Sequence, residues 1–462
     1  MKIHIRKLGA IDLAEFELGD FTIICGSNNT GKTYATYALY GFLSFWREAF
    51  SIPISEGIVR RLLNDGAVDI DIRDYIKDSP NILKQGCDAF TRQLPMVFAS
   101  SEKHFLDSVF TITADPDDIH PDATYEKTMG AAKSQLFSIT KKADSPLVAI
   151  SLLVEKEKVK IPQDVIRRII GDALKDIVFG HLFPNPFIAS AERTGAAIFR
   201  KELNFARNRL LEQMGAMDKD INPFDLLTKV YSDYALPVKT NVDFTRQLEE
   251  LSKKTSFIAE KHPGLLDDFA GIIGGDYLVT KNDQLYYVPQ GKRIKLTMDE
   301  SSSAVRSLLD IGFYLRHVAG PGDLLIVDEP ELNLHPENQR RVARLLARLV
   351  NLGIKVFITT HSDYIVKELS TLIMLNSEKP HLAELAQREG YHPGELLSPD
   401  KLRVYIAEKA LVQIPGNAKK TKGQTLLPAP IDPQLGIEAR SFDQTIEAMN
   451  RIQDEIVWGG DR

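Results

Sequence analysis

Eight consecutive residues carry the strongest chemical signal in the chain. Gly26-Ser27-Asn28-Asn29-Thr30-Gly31-Lys32-Thr33 fits the pattern G-x-x-x-x-G-K-[ST] in full. Such glycines let a backbone wrap an anion, and successive N–H groups, with the start of a following helix, point at it. The Lys32 ammonium suits the β- and γ-phosphates of a nucleoside triphosphate, and the Thr33 hydroxyl suits Mg2+. A second group, Leu324-Leu325-Ile326-Val327-Asp328-Glu329, is an apolar run that ends in two carboxylates. Sheets of the implied kind bind ligands at the carboxyl ends of their strands. Asp328 would hold Mg2+, directly or through water, and Glu329 would orient and deprotonate an attacking water. Alone, that hexapeptide also admits a reading as an ordinary strand entering a solvated acidic turn; the complete phosphate loop elsewhere favours the site. His361 follows Thr359-Thr360 at the end of another apolar run, where an imidazole can donate to the γ-phosphate.

These groups need a scaffold of buried strands and covering helices. Phe21 to Cys25 is apolar without alternation, as a strand buried on both faces should be, and it runs straight into Gly26. A helix from Thr33 to about Phe45 follows. Ile3, Ile5 and Leu13 to Leu18 predict an N-terminal β layer. Leu324 to Val327 and Ile354 to Ile358 predict further core strands. A helix starts at Pro336, is striped by Val342, Leu345, Leu346, Leu349 and Val350, and stops at Gly353. Ser301, Ser302 and Ser303 precede a helical face of Val305, Leu308, Leu309, Gly312 and Leu315. Alternating strands and helices predict an α/β fold with a mostly parallel central sheet.

Between these parts the pattern is looser. Ile58 to Leu63, Ile72 to Lys84, Ile166 to Leu182, Ala197 to Met214 and Asp243 to Lys261 read as helices. Phe137 to Lys141, Pro146 to Leu153, Val159 to Ile161 and Phe187 to Ser190 read as strands. Tyr277 to Thr280 and Leu285 to Val288 read as a hairpin around Asn282-Asp283, and Leu372 to Leu375 as a short strand. The last 85 or so residues read as short elements ending in a helix from about Phe442 to Ile456.

Composition narrows the class. Lys plus Arg is 57 and Asp plus Glu is 63, a net charge of −6, which gives no case for a strongly basic nucleic-acid coat. Hydrophobic residues at 44% and charged residues at 26% exclude general disorder. No apolar run reaches the roughly 18 residues of a membrane span, so no membrane partner is expected. Met1 to Arg6 lacks the apolar core of a signal peptide. Cys25 and Cys87 alone cannot build a disulfide framework or a four-thiolate metal site. The expectation is a soluble cytoplasmic protein.

The order of motifs is Gly26–Thr33, then the serine-rich helix start, then Val327-Asp328-Glu329-Pro330-Glu331-Leu332-Asn333-Leu334-His335-Pro336, then Thr360-His361-Ser362. It resembles the ABC-type ATPases of the SMC, RecF and OLD class, above all their stand-alone bacterial members. The resemblance covers roughly residues 1–45 and 185–376. It implies ATP and Mg2+ as cofactors and a P-loop ABC-type head. It also implies a homo-oligomer of head-to-tail dimers that sandwich ATP. Ser301, Ser302 and Ser303 stand where a Ser-Gly-Gly signature is usual. They either complete the γ-phosphate cage of a neighbouring copy or only cap their helix. The expected layout is a head lobe over 1–45 and a large, mainly helical inserted lid over 46–185. A second head lobe over 186–376 and a C-terminal extension over 377–462 complete it. Arg193, in Glu192-Arg193-Thr194-Gly195, either pairs with phosphate or Glu329, or makes a surface or interdomain salt bridge. Lys419, Lys420 and Lys422 either touch nucleic acid or a partner, or form a solvated loop. No TOPRIM-type acidic set stands in the C-terminal region; Asp69-Ile70-Asp71 falls in the lid. The resemblance extends to ATPases of PARIS- and Septu-type anti-phage systems, and so implies a separate nuclease or toxin effector and a phage-derived trigger. A RecF-like clamp on DNA is the competing implication.

Overall fold

The computed structural model describes residues 1–121, 123–131, 134–154, 162–199, 234–281, 283–377, 379–413, 419–438 and 440–458. The chain divides into two compact units. The first comprises Met1–His4, Phe42–Gln93 and Val109–Asn185; the second comprises Ile5–Gly41, Leu94–Ser108 and Pro186–Arg462.

The second unit is built on a six-stranded sheet. Its order is Thr421–Pro428, Leu402–Val412, Phe21–Cys25, Lys355–Thr360, Leu324–Asp328 and Pro186–Ala189. The four contacts among the last five strands are parallel, and only the outer Leu402–Val412 and Thr421–Pro428 pair is antiparallel. Phe21–Cys25 and Leu324–Asp328 are buried at every position, as strands covered on both faces must be. Parallel neighbours need crossovers, and helices Lys32–Ala49, Pro336–Asn351 and Asp363–Leu375 follow three of these strands. In Pro336–Asn351 the stripe Val342, Leu345, Leu346, Leu349 and Val350 is buried. Each such side chain contributes roughly 1.5–3 kcal/mol over leaving it exposed. The His335 ring accepts from the Glu337 amide and caps the helix start. At the N-terminus, Ile11–Glu17 reaches the far edge of the sheet, where the Asp12 carboxylate accepts from the Gln424 amide at 2.8 Å.

The first unit holds helices Glu56–Asp65, Ser79–Thr91 and Gln163–Phe179. The inserted region was expected to be mainly helical. It also carries a four-stranded antiparallel sheet in the order Ala67–Asp71, Leu147–Leu152, Ser134–Lys141 and Tyr125–Ala131. Its core is aromatic: Phe42 meets Phe50, Phe90, Phe110 and Phe183 at ring separations of 5.2–5.8 Å.

Several elements differ from the sequence reading. Leu372 to Leu375 is not a strand but the last turn of Asp363–Leu375, whose buried Ile365, Val366, Leu369, Leu372 and Ile373 keep a helical period. A four-residue apolar run is ambiguous between the two states, and the preceding turns decide it. Ile72 to Lys84 breaks at Asp78 into Arg73–Lys77 and Ser79–Thr91. Asp243 to Lys261 is three helices, Leu236–Arg246, Leu248–Leu251 and Phe257–Lys261. The last is restarted by Ser256, whose hydroxyl accepts from the Ala259 amide. The C-terminal region contributes the eleven-residue strand Leu402–Val412 to the central sheet rather than only short elements. Val159 to Ile161, Asn282 and most of Ala197 to Met214 lie outside the described residues, though Arg193–Ile198 is helical. Both cysteines are free and buried. Among the described residues no helix is long and apolar enough to cross a membrane.

Candidate active site

Strand pairing places the chemistry. Asp328 pairs with Thr359, Thr360 with Cys25, and Val327 with Ala189. Four parallel strands therefore end together, and Gly26, Glu329, His361 and Ser190 leave the sheet along one edge. All belong to the second unit.

Gly26 and Gly31 have φ of 142° and 91°, which L side chains rarely adopt. A Cβ on Gly26 would sit 2.7 Å from the Ala407 carbonyl, and one on Gly31 2.6 Å from the Ile11 side chain. The loop they shape turns back on Lys32. The buried Lys32 ammonium donates to the carbonyls of Gly26 at 2.9 Å and Ser27 at 2.8 Å. Burial lowers its pKa, against the opposing pull of Glu329, Asp328 and Glu331. The Thr30 hydroxyl donates to the Ser27 carbonyl at 2.8 Å and closes the turn. Ser27, Asn28 and Asn29 form the exposed rim, and Thr33 presents its exposed side chain in the first turn of Lys32–Ala49.

Asp328 is 1% exposed. Its Oδ1 accepts from the Thr359 hydroxyl, and its Oδ2 has no partner. Burial is the main cause of a pKa pushed up to about 6. A buried carboxylate oxygen without a donor is costly unless a cation meets it. Carboxylate and hydroxyl oxygens are the ligands Mg2+ prefers. The residues present therefore fit the ion, with Asp328 Oδ2 and the Thr33 hydroxyl as its protein oxygens.

Glu329 adopts φ of 54°, left-handed for a residue with a side chain. Its amide donates to the Thr359 carbonyl at 3.0 Å. The exposed His361 places Nδ1 3.5 Å from Glu329 Oε1 and 3.4 Å from Glu331 Oε1. Glu331 Oε1 also accepts from the Thr360 hydroxyl at 2.8 Å and the His361 amide at 2.7 Å, so it pins the turn that carries His361. Sequence reasoning quoted Glu331 within its motif but gave it no role. The only local signal is a third carboxylate two residues after Glu329.

Arg193 differs from both readings offered for it. It reaches backbone rather than a carboxylate or solvent. Its guanidinium is 1% exposed and donates to the carbonyls of Ser190, Ser307, Asp328 and Glu329 at 2.6–2.8 Å. Its neighbour Glu192 accepts from the Tyr37 hydroxyl at 2.8 Å. Two of the three serines bond within their own segment. Ser301 is buried and donates to the Met298 carbonyl; exposed Ser302 caps helix Ser303–Ser307 by accepting from the Val305 amide; Ser303 is that helix's first residue. Lys419, Lys420 and Lys422 are exposed, and Lys422 lies in the outer strand Thr421–Pro428.

Residues 180–367 match the family described as "AAA domain, putative AbiEii toxin, Type IV TA system". The matched range includes Ser301 to Ser303, Asp328, Glu329 and His361 and leaves out Gly26–Thr33. Three solved SMC heads are also similar. An SMC head bound to the C-winged helix domain of ScpA is 12% identical with a TM-score of 0.31, over 91% of this chain and 97% of that one. The SMC head domain from Thermotoga maritima is 11% identical with a TM-score of 0.28, over 93% and 98%. The Smc head domain with an extended coiled coil bound to the C-terminal domain of ScpA derived from Pyrococcus furiosus is 13% identical with a TM-score of 0.30, over 98% of each. No curated protein matches the chain.

Proposed function

We propose that the chain is an ABC-type ATPase that binds ATP with Mg2+ on Gly26–Thr33 and Asp328 and hydrolyses it with Glu329 as general base. The observation that carries this reading is the common edge at which the phosphate loop, Asp328-Glu329 and His361 leave four parallel strands. Lys32 would exchange its two loop carbonyls for β- and γ-phosphate oxygens. Glu329 takes a proton from the attacking water, and the His361 ring donates to a γ-phosphate oxygen. When bound, the metal neutralises phosphate charge as it develops. Ser301 to Ser303 of a second copy would complete the cage, which makes a head-to-tail homo-oligomer the working assembly. The role that best fits the motif resemblance is the sensor or scaffold subunit of an anti-phage system, holding a separate nuclease or toxin.

Phosphate release by the purified chain with Mg2+ and ATP tests the chemistry. Lys32→Ala is expected to lose turnover and at least tenfold in ATP affinity. Glu329→Gln is expected to bind ATP, leave it intact and accumulate larger assemblies by size-exclusion chromatography with light scattering. Lys32→Ala turnover within twofold of wild type would sink the assignment. Turnover stimulated by duplex DNA with steep salt dependence would replace the sensor role by a RecF-like clamp.

A further inference from the structure

Among the described residues Arg193 is the largest charged side chain buried in the second unit, and its hydrogen bonds go neither to the phosphate loop nor to a carboxylate. Its four acceptors come from three places. Ser190 follows the edge strand Pro186–Ala189, Ser307 ends helix Ser303–Ser307, and Asp328 and Glu329 form the acidic turn. A guanidinium fork can span such a set because its donors lie in one rigid plane; an ammonium cannot.

Two features make this more than a packing contact. Glu329 carries a left-handed backbone, φ 54°, that a side-chain-bearing residue rarely adopts. That conformation is gripped on both flanks, its amide by the Thr359 carbonyl and its carbonyl by Arg193 at 2.8 Å. Backbone direction at a residue sets where its side chain points, so the grip aims the Glu329 carboxylate. Ser307 is also tied to the acidic turn twice. Its carbonyl accepts from Arg193 at 2.6 Å, and its hydroxyl donates to the Leu332 carbonyl at 3.0 Å. A shift of helix Ser303–Ser307 must therefore pull on Glu329.

We propose that Arg193 is a positioning residue for hydrolysis: it fixes the backbone that aims Glu329 and couples that backbone to helix Ser303–Ser307. The proposal rests on the ATPase reading above. Arg193→Gln and Arg193→Lys, in the full chain, are measured for ATP affinity, ATP bound per chain, and turnover per bound ATP. Both variants are expected to bind ATP within threefold of wild-type affinity and stoichiometry, while turnover per bound ATP falls at least thirtyfold. Lysine should not rescue, because it keeps the charge but not the fork. Turnover per bound ATP within threefold of wild type would overturn the proposal. So would a loss that merely tracks the fraction of chains able to bind, the mark of a purely structural role. Hydrogen exchange on the wild-type chain keeps the question open to test if the variants do not fold. Added Mg2+ and ATP should protect amides around 303–308 and 329–332 together. Protection of 329–332 without 303–308 overturns the coupling. Failure of the wild-type chain to bind ATP overturns the ATPase reading itself, and is distinguishable because residues 26–33 then gain no protection either.

Discussion

Asp310 sets up a stability experiment that is independent of nucleotide. It lies one turn beyond Ser307 on helix Leu309–His317, is 1% exposed, and has no hydrogen-bond partner for either carboxylate oxygen. Burial pushes its pKa from 3.8 up to about 7, and the nearby Arg193 charge only moderates the rise. A raised carboxyl pKa means that the folded chain holds a proton which the unfolded chain releases. Between pH 3.8 and about 7 stability therefore falls as pH rises, and above that window the full cost remains. Between pH 5 and pH 8 the folded chain spans two pH units below its own pKa, which at roughly 1.4 kcal/mol per unit is about 3 kcal/mol. Asp310→Asn keeps the shape and removes the titration. Its stability relative to wild type should thus improve by about 3 kcal/mol on going from pH 5 to pH 8. Any fixed cost of the new amide cancels between the two pH values. Urea unfolding of both chains at four pH values measures this as a relative midpoint shift on the order of 1 M. A difference between the two chains that stays constant within about 0.5 kcal/mol across that range would refute the burial argument.

Glu331→Ala should cost about 3 kcal/mol of stability and roughly tenfold in turnover, because two donors lose a buried charged acceptor and the His361 turn is released. Glu331→Gln retains an acceptor oxygen and should stay within about 1 kcal/mol of wild type by denaturant titration; equal losses in both variants would show that charge, not the acceptor, matters. For the shared site, a Ser302→Cys chain mixed with an Asn28→Cys chain should crosslink between subunits only with ATP. A crosslink indifferent to ATP, or formed only within one chain carrying both cysteines, would remove the head-to-tail assembly.

The parts of the site that could be read from sequence are those whose geometry is local. Gly26–Thr33 is contiguous, and its loop shape follows from glycines at fixed spacing. Leu324 to Glu329 and Thr359 to His361 are each a buried run with polar residues at its end, so their place at a sheet edge follows from burial alone. Arg193 could not be read this way. Three of its acceptors lie 114 to 136 residues further along the chain, and a backbone carbonyl leaves no residue type to recognise. Glu331 was visible only as one more acid, because its donors lie 29 and 30 residues away. Leu402–Val412 was missed for another reason. Its buried residues pair beside Phe21–Cys25 across most of the chain, and no nearby motif marks it as part of the same sheet.

The two halves of the site are held differently. Glu329 is fixed by backbone bonds on both flanks, and the His361 amide and the Thr360 hydroxyl are fixed by Glu331. None of these bonds uses a group that ATP would need. Lys32 is the opposite case, because its ammonium already satisfies itself on the carbonyls of its own loop. Those carbonyls occupy two of the three ammonium donors, so a phosphate that takes more than the third must displace a loop carbonyl, while the acidic edge keeps its bonds. Preorganised donors and acceptors cost no reorganisation at the moment of reaction. On the ATPase reading proposed above, the carboxylate side is therefore the preorganised part that serves the chemical step, and the lysine side is the part that responds when phosphate arrives.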